Sequence, residues 1–167
     1  MIREISNQEL DNFLSQQRYS QFLQSSSWNN FQRELGNNVW QIGLFDGDET
    51  NSKLLVVASV VEKKMLMGFS YLYCARGPII KDNLNDELKN KYLKTILKSI
   101  RDITIKTKQY REIFFKFELN FVFDHLEHTR RTKNFQPAET LLLDLKRSEE
   151  ELLLLSLIHI SEPTRPY

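Results

Sequence analysis

The 167-residue sequence predicts an α/β (α+β) domain with a mixed, mostly antiparallel sheet flanked by helices. Three observations predict it. Strand-like runs at 39–45, 53–65 and 69–75 are separated only by short turns, the pattern of an antiparallel meander. Helical periodicity appears twice before these runs and once, at length, after them. The resulting order, β-α-α-β-β-β-α-β-(α)-β-α, lacks the strict alternation of a doubly wound sheet, and neither G-x-G-x-x-G nor G-x-x-x-x-G-K-[ST] occurs.

Residues 2–5 read as a short strand. "SNQELDNFLSQQ" opens a helix, with Ser6 as N-cap and Glu9 completing a capping box. "SSSWNNFQRELG" repeats that logic: a serine caps, Trp28, Phe31 and Leu35 share one face, and Gly36 stops the helix. Gln32, four residues after Trp28, projects from nearly the same side. "VWQIGLF" leads into the turn "DGDETNS", and "KLLVVASVVEKKM" and "FSYLYCA" follow. "NDELKNKYLKTILKSIRDITIKTK" (85–108) is the clearest helix, with Leu88, Tyr92, Ile96, Leu97, Ile100 and Ile103 as its apolar stripe. "EIFFKFEL" (112–119) is a strand with Ile113, Phe115 and Phe117 on one face and Phe114, Lys116 and Glu118 on the other. A helical or irregular piece, a strand at 139–145 and a helix after Ser148 complete the reading.

Composition narrows the class. Apolar content of 41% against 27% charged residues is enough to build a core. A net charge of +1 gives no overall pull toward nucleic acid. A single cysteine, Cys74, excludes an internal disulfide and favours a cytoplasmic location; no secretory signal is visible. The longest apolar stretch, "LLLLSLIHI", is shorter than the roughly 20 residues a bilayer span needs.

Few residues offer chemistry. Cys74 lies inside a strand and reads as a buried core thiol. In "DHLEH", His125 and His128 with Asp124 and Glu127 lack an indicated third ligand, so surface histidines are the plainer reading and no metal or cofactor is expected. Glu118, at a strand end, reads either as one partner of a surface pair with Lys116 or as a proton acceptor that orients an amine. Arg76, followed by Gly77 and Pro78, suits bidentate binding of phosphate or carboxylate, or a purely structural tie. Lys91, Lys94, Lys98 and Arg101 read first as a solvated face, and second as a contact for a polyanion or an anionic membrane.

The segments "FLQSSSWNNFQRELGNNVWQIGLF", "YLYCARGPII", "IFFKFEL" and "QPAETLLLDLKRSEEELL", in that order, resemble the Fem-type (FemABX) peptidoglycan-bridge aminoacyltransferases across residues 1–154. The resemblance implies a fold of two acetyltransferase-like (GNAT-like) halves, this chain supplying the first. It implies transfer of an amino acid from aminoacyl-tRNA to the stem-peptide amine of a lipid-linked or nucleotide-linked peptidoglycan precursor, without a cofactor. Carried over residue by residue, it places Trp28, Gln32 and Arg76 against the precursor and Glu118 near the reacting amine. Gln32 stands where the family pattern has a lysine. Ala75 replaces a proline before Arg76, and Leu119 replaces one after Glu118. Two rivals remain: a GNAT-related acyl-CoA N-acyltransferase, which requires a glycine-rich pyrophosphate loop not seen here, and a non-catalytic module binding precursor or a protein partner.

"LSLIHISEPTRPY", Leu155 to Tyr167, resembles translated read-through of a sequencing adapter, and it is set aside from fold reasoning. The expectation is an incomplete enzyme: a GNAT-like subdomain over 1–154, a tail over 155–167, and aminoacyl-tRNA binding supplied by a second half.

Overall fold

A computed structural model describes residues 1–47, 52–105, 111–119, 121, 129–137 and 144–160, the last six of these by backbone alone. The chain divides into two units, residues 1–136 and 137–167.

In the first unit the elements are β1 (Ile2–Glu4), α1 (Asn7–Ser15), α2 (Ser26–Glu34), β2 (Val39–Asp46), β3 (Lys53–Lys64), β4 (Phe69–Cys74), β5 (Ile79–Ile80), α3 (Asp86–Thr104) and β6 (Arg111–Phe117). The strands form one sheet in the order β1-β2-β3-β4-β6, and β5 pairs with β3. Every pairing is antiparallel except β4 with β6, which is parallel because α3 carries the chain back across the sheet. The mixed, mostly antiparallel sheet with flanking helices agrees with the sequence. The short β5 was not foreseen.

Local chemistry accounts for the helix ends. Ser6 accepts a hydrogen bond from the Glu9 amide while the Glu9 carboxylate accepts from the Ser6 amide, so the predicted capping box forms. Ser25 caps α2 through the Trp28 amide, and Asn85 caps α3 through the Leu88 amide.

The sheet separates two apolar clusters. On one face Leu93, Ile96 and Ile100 of α3 pack on Ile42, Leu44, Val56, Ala58, Val60, Leu72 and Cys74. On the other, Leu10, Phe13 and Leu14 of α1 pack on Ile5, Phe45, Val57 and Ile79. Buried Leu93 belongs to the α3 stripe that the periodicity read without it.

Helix α2 overturns the expected burial. Trp28, Phe31 and Leu35 were read as its shared apolar face, yet Phe31 is 47% and Leu35 59% exposed, while Ser26, Asn29 and Gln32 are buried. The reason lies beneath the helix: Asn29 donates to the Ser59 hydroxyl and Lys63 donates to Gln32, so this part of the sheet presents polar groups that a polar helix face satisfies.

In the second unit a helix, α4 (Glu149–Ile160), is capped by Ser148, whose hydroxyl accepts from the Glu151 amide. The strand read at 139–145 falls mostly outside the described residues, as does the whole "DHLEH" segment.

Candidate functional site

The site grows from a break in sheet pairing. Strand β3 pairs with β4 over Val61–Lys64 and with β5 over Val56–Val57. Between them the backbone of Ser59 has no strand partner on that edge, and a side chain takes its place. The buried Gln24 amide accepts from the Ser59 N–H at 2.8 Å and donates to the Ser59 carbonyl at 3.4 Å. The same Nε2 donates to the Ala75 carbonyl at 2.6 Å. A carboxamide thus stands in for a peptide group and ties the strap of residues 75–78 across the gap. Gly77 is required by this closeness, because a Cβ there would lie 2.6 Å from the Gln24 Cδ. The strap also contains a cis Gly77–Pro78 bond, and Arg76 rather than Gly77 holds the positive φ, at 52°. Gln24 opens the "QSSSW" motif, but sequence reasoning passed it over in favour of Trp28 and Gln32.

Because β4 and β6 run in parallel, their C-terminal ends come together. The Glu118 amide donates to the Cys74 carbonyl at 3.2 Å, and Arg76 begins two residues beyond that point. The strand pair therefore brings Arg76 and Glu118 to one end of the sheet.

Glu118 is no surface partner of Lys116. It is 9% exposed and has three donors: the Tyr73 hydroxyl at 2.8 Å, the Phe135 amide at 2.6 Å and the Gln136 amide at 3.3 Å. Lys116 instead donates to the Thr132 hydroxyl and the Lys133 carbonyl and sits 4.0 Å from the centre of the Phe135 ring. A carboxylate offers about four lone-pair positions, so roughly one remains open on Glu118. Burial, with the carboxylate next to it, raises the Tyr73 hydroxyl well above the usual phenol range. Tyr73 therefore stays a proton donor at neutral pH.

The same face continues along the strands. Register puts Lys63 beside Tyr71 and Val61 beside Tyr73, and across β6 it pairs Tyr71 with Phe114 and Tyr73 with Lys116. Tyr71 and Phe114 stack at 4.9 Å, and Phe135 meets both tyrosines edge-on. Phe114, Lys116 and Glu118 share this face as the alternation predicted, while Phe115 and Phe117 pack against the α3 core. Ile113 departs from that prediction and is exposed, because the register skips it between Ser70 and Tyr71.

Gln32 lies farther back on this face, 2% exposed, where its Oε1 accepts from the Lys63 ammonium at 2.5 Å and the Asn37 amide at 3.0 Å. Burial lowers the Lys63 pKa from its ordinary value. An ammonium thus stands beside the neutral Gln32, and only the three-dimensional register reveals it. Trp28 is separate from these contacts: its half-buried ring packs on Phe22 at 5.9 Å and on Phe31 at 5.5 Å. Arg76 and Glu118 therefore lie at one end of the sheet, Gln32 shares the sheet face of Glu118, and Trp28 belongs to a mostly exposed aromatic row.

Cys74 is fully buried with its thiol pKa pushed up to about 12, mainly by burial, as expected for a core cysteine. Lys91, Lys94 and Lys98 are exposed, and Arg101 pairs with Glu112 at 3.1 Å, as on a solvated helix face. Among the described residues no group of three His, Cys, Asp or Glu side chains could hold a metal ion, and no helix is long and apolar enough to cross a membrane.

The FemAB family model matches residues 5–148, which takes in α2, the strap and β6. The chain belongs to the FemAB family. Its fold is similar to the crystal structure of FemX, with a TM-score of 0.52 at 21% identity over 66% of this chain. The chain spans 25% of the length of that FemX chain. A search of curated proteins finds no match. In this chain the Gln24–Gly77 clamp orders the strap before Pro78, and Tyr73 bonds the Glu118 carboxylate just beyond β6.

Proposed function

We propose that this FemAB-family chain is the precursor-binding, GNAT-like part of an aminoacyltransferase that builds peptidoglycan bridges. The parent enzyme transfers an amino acid from aminoacyl-tRNA to the stem-peptide amine of a cell-wall precursor in the cytoplasm. The observation that carries this reading is Glu118: a carboxylate oriented by three donors, with about one lone pair open, at the end of a parallel strand pair beside Arg76.

In this mechanism the amine nitrogen attacks the ester carbonyl of aminoacyl-tRNA. A C–N bond forms, the C–O bond to the ribose breaks, and the ribose leaves as an alcohol. The open lone pair of Glu118, on the Oε2 that accepts from Tyr73, takes the amine proton and passes it to the departing ribose oxygen. The Phe135 and Gln136 amides hold the other oxygen, so the carboxylate does not swing. Arg76 pairs with an anionic group of the precursor. Lys63 supplies the positive charge beside Gln32 that the amide itself lacks. Trp28, in its aromatic row with Phe22 and Phe31, offers the precursor a separate apolar surface. Positioning of the amine supplies most of the remaining rate.

The test is Glu118→Gln in the complete enzyme. The amide keeps the shape and removes the basic oxygen, so kcat/KM for transfer falls about 100-fold or more while precursor affinity changes little. Unchanged turnover in a folded Glu118→Gln enzyme would remove Glu118 from the chemistry.

A further inference from the structure

The β3–β4 hairpin ends in "KKMLMGF", and its tip is built the wrong way round for a soluble turn. Turns ordinarily hold Gly, Asn, Asp, Ser or Pro. Here Leu66 is 88% and Met67 91% exposed, and Met65 is exposed beside them. The tip has a defined shape: the Met65 amide donates to the Phe69 carbonyl at 2.8 Å, and Met67 and Gly68 both take positive φ, 62° and 74°. A non-glycine residue held in the left-handed region at full exposure gains nothing from core packing.

Charge surrounds these side chains. Lys64, opposite Ser70, is exposed, and Arg111, opposite Phe69, is exposed with its guanidinium 6.0 Å from the centre of the Phe69 ring. Lys63 follows one residue behind. Glu112 is paired with Arg101 and its side chain is 5% exposed, and Glu62 is buried with Ser70 and Asn38 as donors.

We propose that this tip, Met65–Phe69, docks on an anionic lipid bilayer, inserting Leu66 and Met67 at the headgroup boundary while Lys64 and Arg111 meet lipid phosphates. An apolar point inside a basic collar has the charge complementarity of a peripheral membrane contact. The hairpin holds the point in place before binding, so little ordering is required. The contact lies at the Phe69 end of β4, roughly 17 Å along the strand from the Cys74 end at about 3.3 Å per residue. Arg76 and Glu118 would then work at that height above the lipid. The proposal does not depend on the transferase reading.

The experiment is co-sedimentation of the full chain with phosphatidylcholine vesicles, with and without one third phosphatidylglycerol. Binding to the anionic vesicles is expected, weakened by salt and nearly absent on pure phosphatidylcholine. Leu66→Ser with Met67→Ser lowers the partition coefficient about tenfold or more, and Lys64→Gln or Arg111→Gln lowers it about fivefold each. These positions are exposed, so the circular dichroism of each variant should match the parent. Salt-insensitive binding, no binding by the parent chain, or equal binding by the Leu66/Met67 variant overturns the proposal. So does self-association in the ultracentrifuge that the Leu66/Met67 variant abolishes while the parent leaves vesicles untouched; the tip would then be an interface between copies. Because the vesicles contain neither precursor nor tRNA, these outcomes are independent of the Glu118→Gln result.

Discussion

Gln24 and Gly77 show how two residues can decide where a strap lies. The carboxamide serves the Ser59 backbone in both directions and the Ala75 carbonyl besides. Removing it leaves buried peptide groups unpaired, and Gln24→Ala should cost about 3 kcal/mol of unfolding free energy. Gly77→Ala forces a methyl against the Gln24 side chain and should cost about 2 kcal/mol in the parent but far less in the Gln24→Ala background. A double-mutant cycle by urea unfolding checks both; additive effects would show that the two groups do not compete for the same space. Arg76 supplies a separate test. Both Arg76→Gly and Arg76→Ala delete the guanidinium, but only glycine relaxes φ = 52°, so the glycine variant should be about 1 kcal/mol the more stable. Equal stabilities would mean that the strap does not hold that backbone against its preference. At this scale the sequence showed only residue types. The buried fate of Cys74 was legible from its place in an apolar strand. The Glu118–Tyr73 bond was not, because it joins groups 45 positions apart.

Elements were legible wherever local chemistry sets them. The Ser6 capping box follows from four consecutive residues, and its chemistry fixes a pH dependence. The Glu9 carboxylate is held at about 2, first by Arg3 at 2.5 Å and then by the Ser6 amide, well below its ordinary 4.5. A lowered pKa in the folded state means the stabilisation is complete above about pH 4.5 and drains away as pH falls through about 2. Because the pair is partly exposed, its worth is that of a helix cap, about 1 kcal/mol, and salt reduces the Arg3 share. Glu9→Gln should therefore destabilise the chain at pH 7 and converge with the parent near pH 2 in thermal melts; a difference that grows on acidification would reverse the assignment. Helix α2 marks the limit of pattern reading. Trp28, Phe31 and Leu35 have the right spacing for a core stripe, but spacing does not say what the opposing sheet presents. Ser59 and Lys63 face the helix there, so Asn29 and Gln32 turn inward and the aromatics turn out. Inward-facing polar pairs of this kind cannot be inferred from one strand alone.

At the scale of the molecule, the class of fold was readable from element order, whereas β4–β6 adjacency was not, since parallel pairing across α3 leaves no local signature. That adjacency is what joins Arg76 to Glu118, so the site's position depends on topology more than on any motif. It also governs what this chain can do by itself. The face bearing Tyr71, Tyr73, Phe114 and Glu118 gathers apolar, cationic and carboxylate groups in one row. On the proposed reading, in which this chain is the precursor-binding part, it should bind a stem-peptide precursor, detectable by calorimetry, and transfer no amino acid to it when charged tRNA is supplied. Glu118→Gln should leave that binding nearly unchanged, whereas Arg76→Ala should weaken it about tenfold or more, the loss of one charge-assisted pair. Transfer by this chain at any measurable rate would show that the acyl-donor site lies within residues 1–167, and equal precursor affinity for the Arg76→Ala variant would remove Arg76 from the contact.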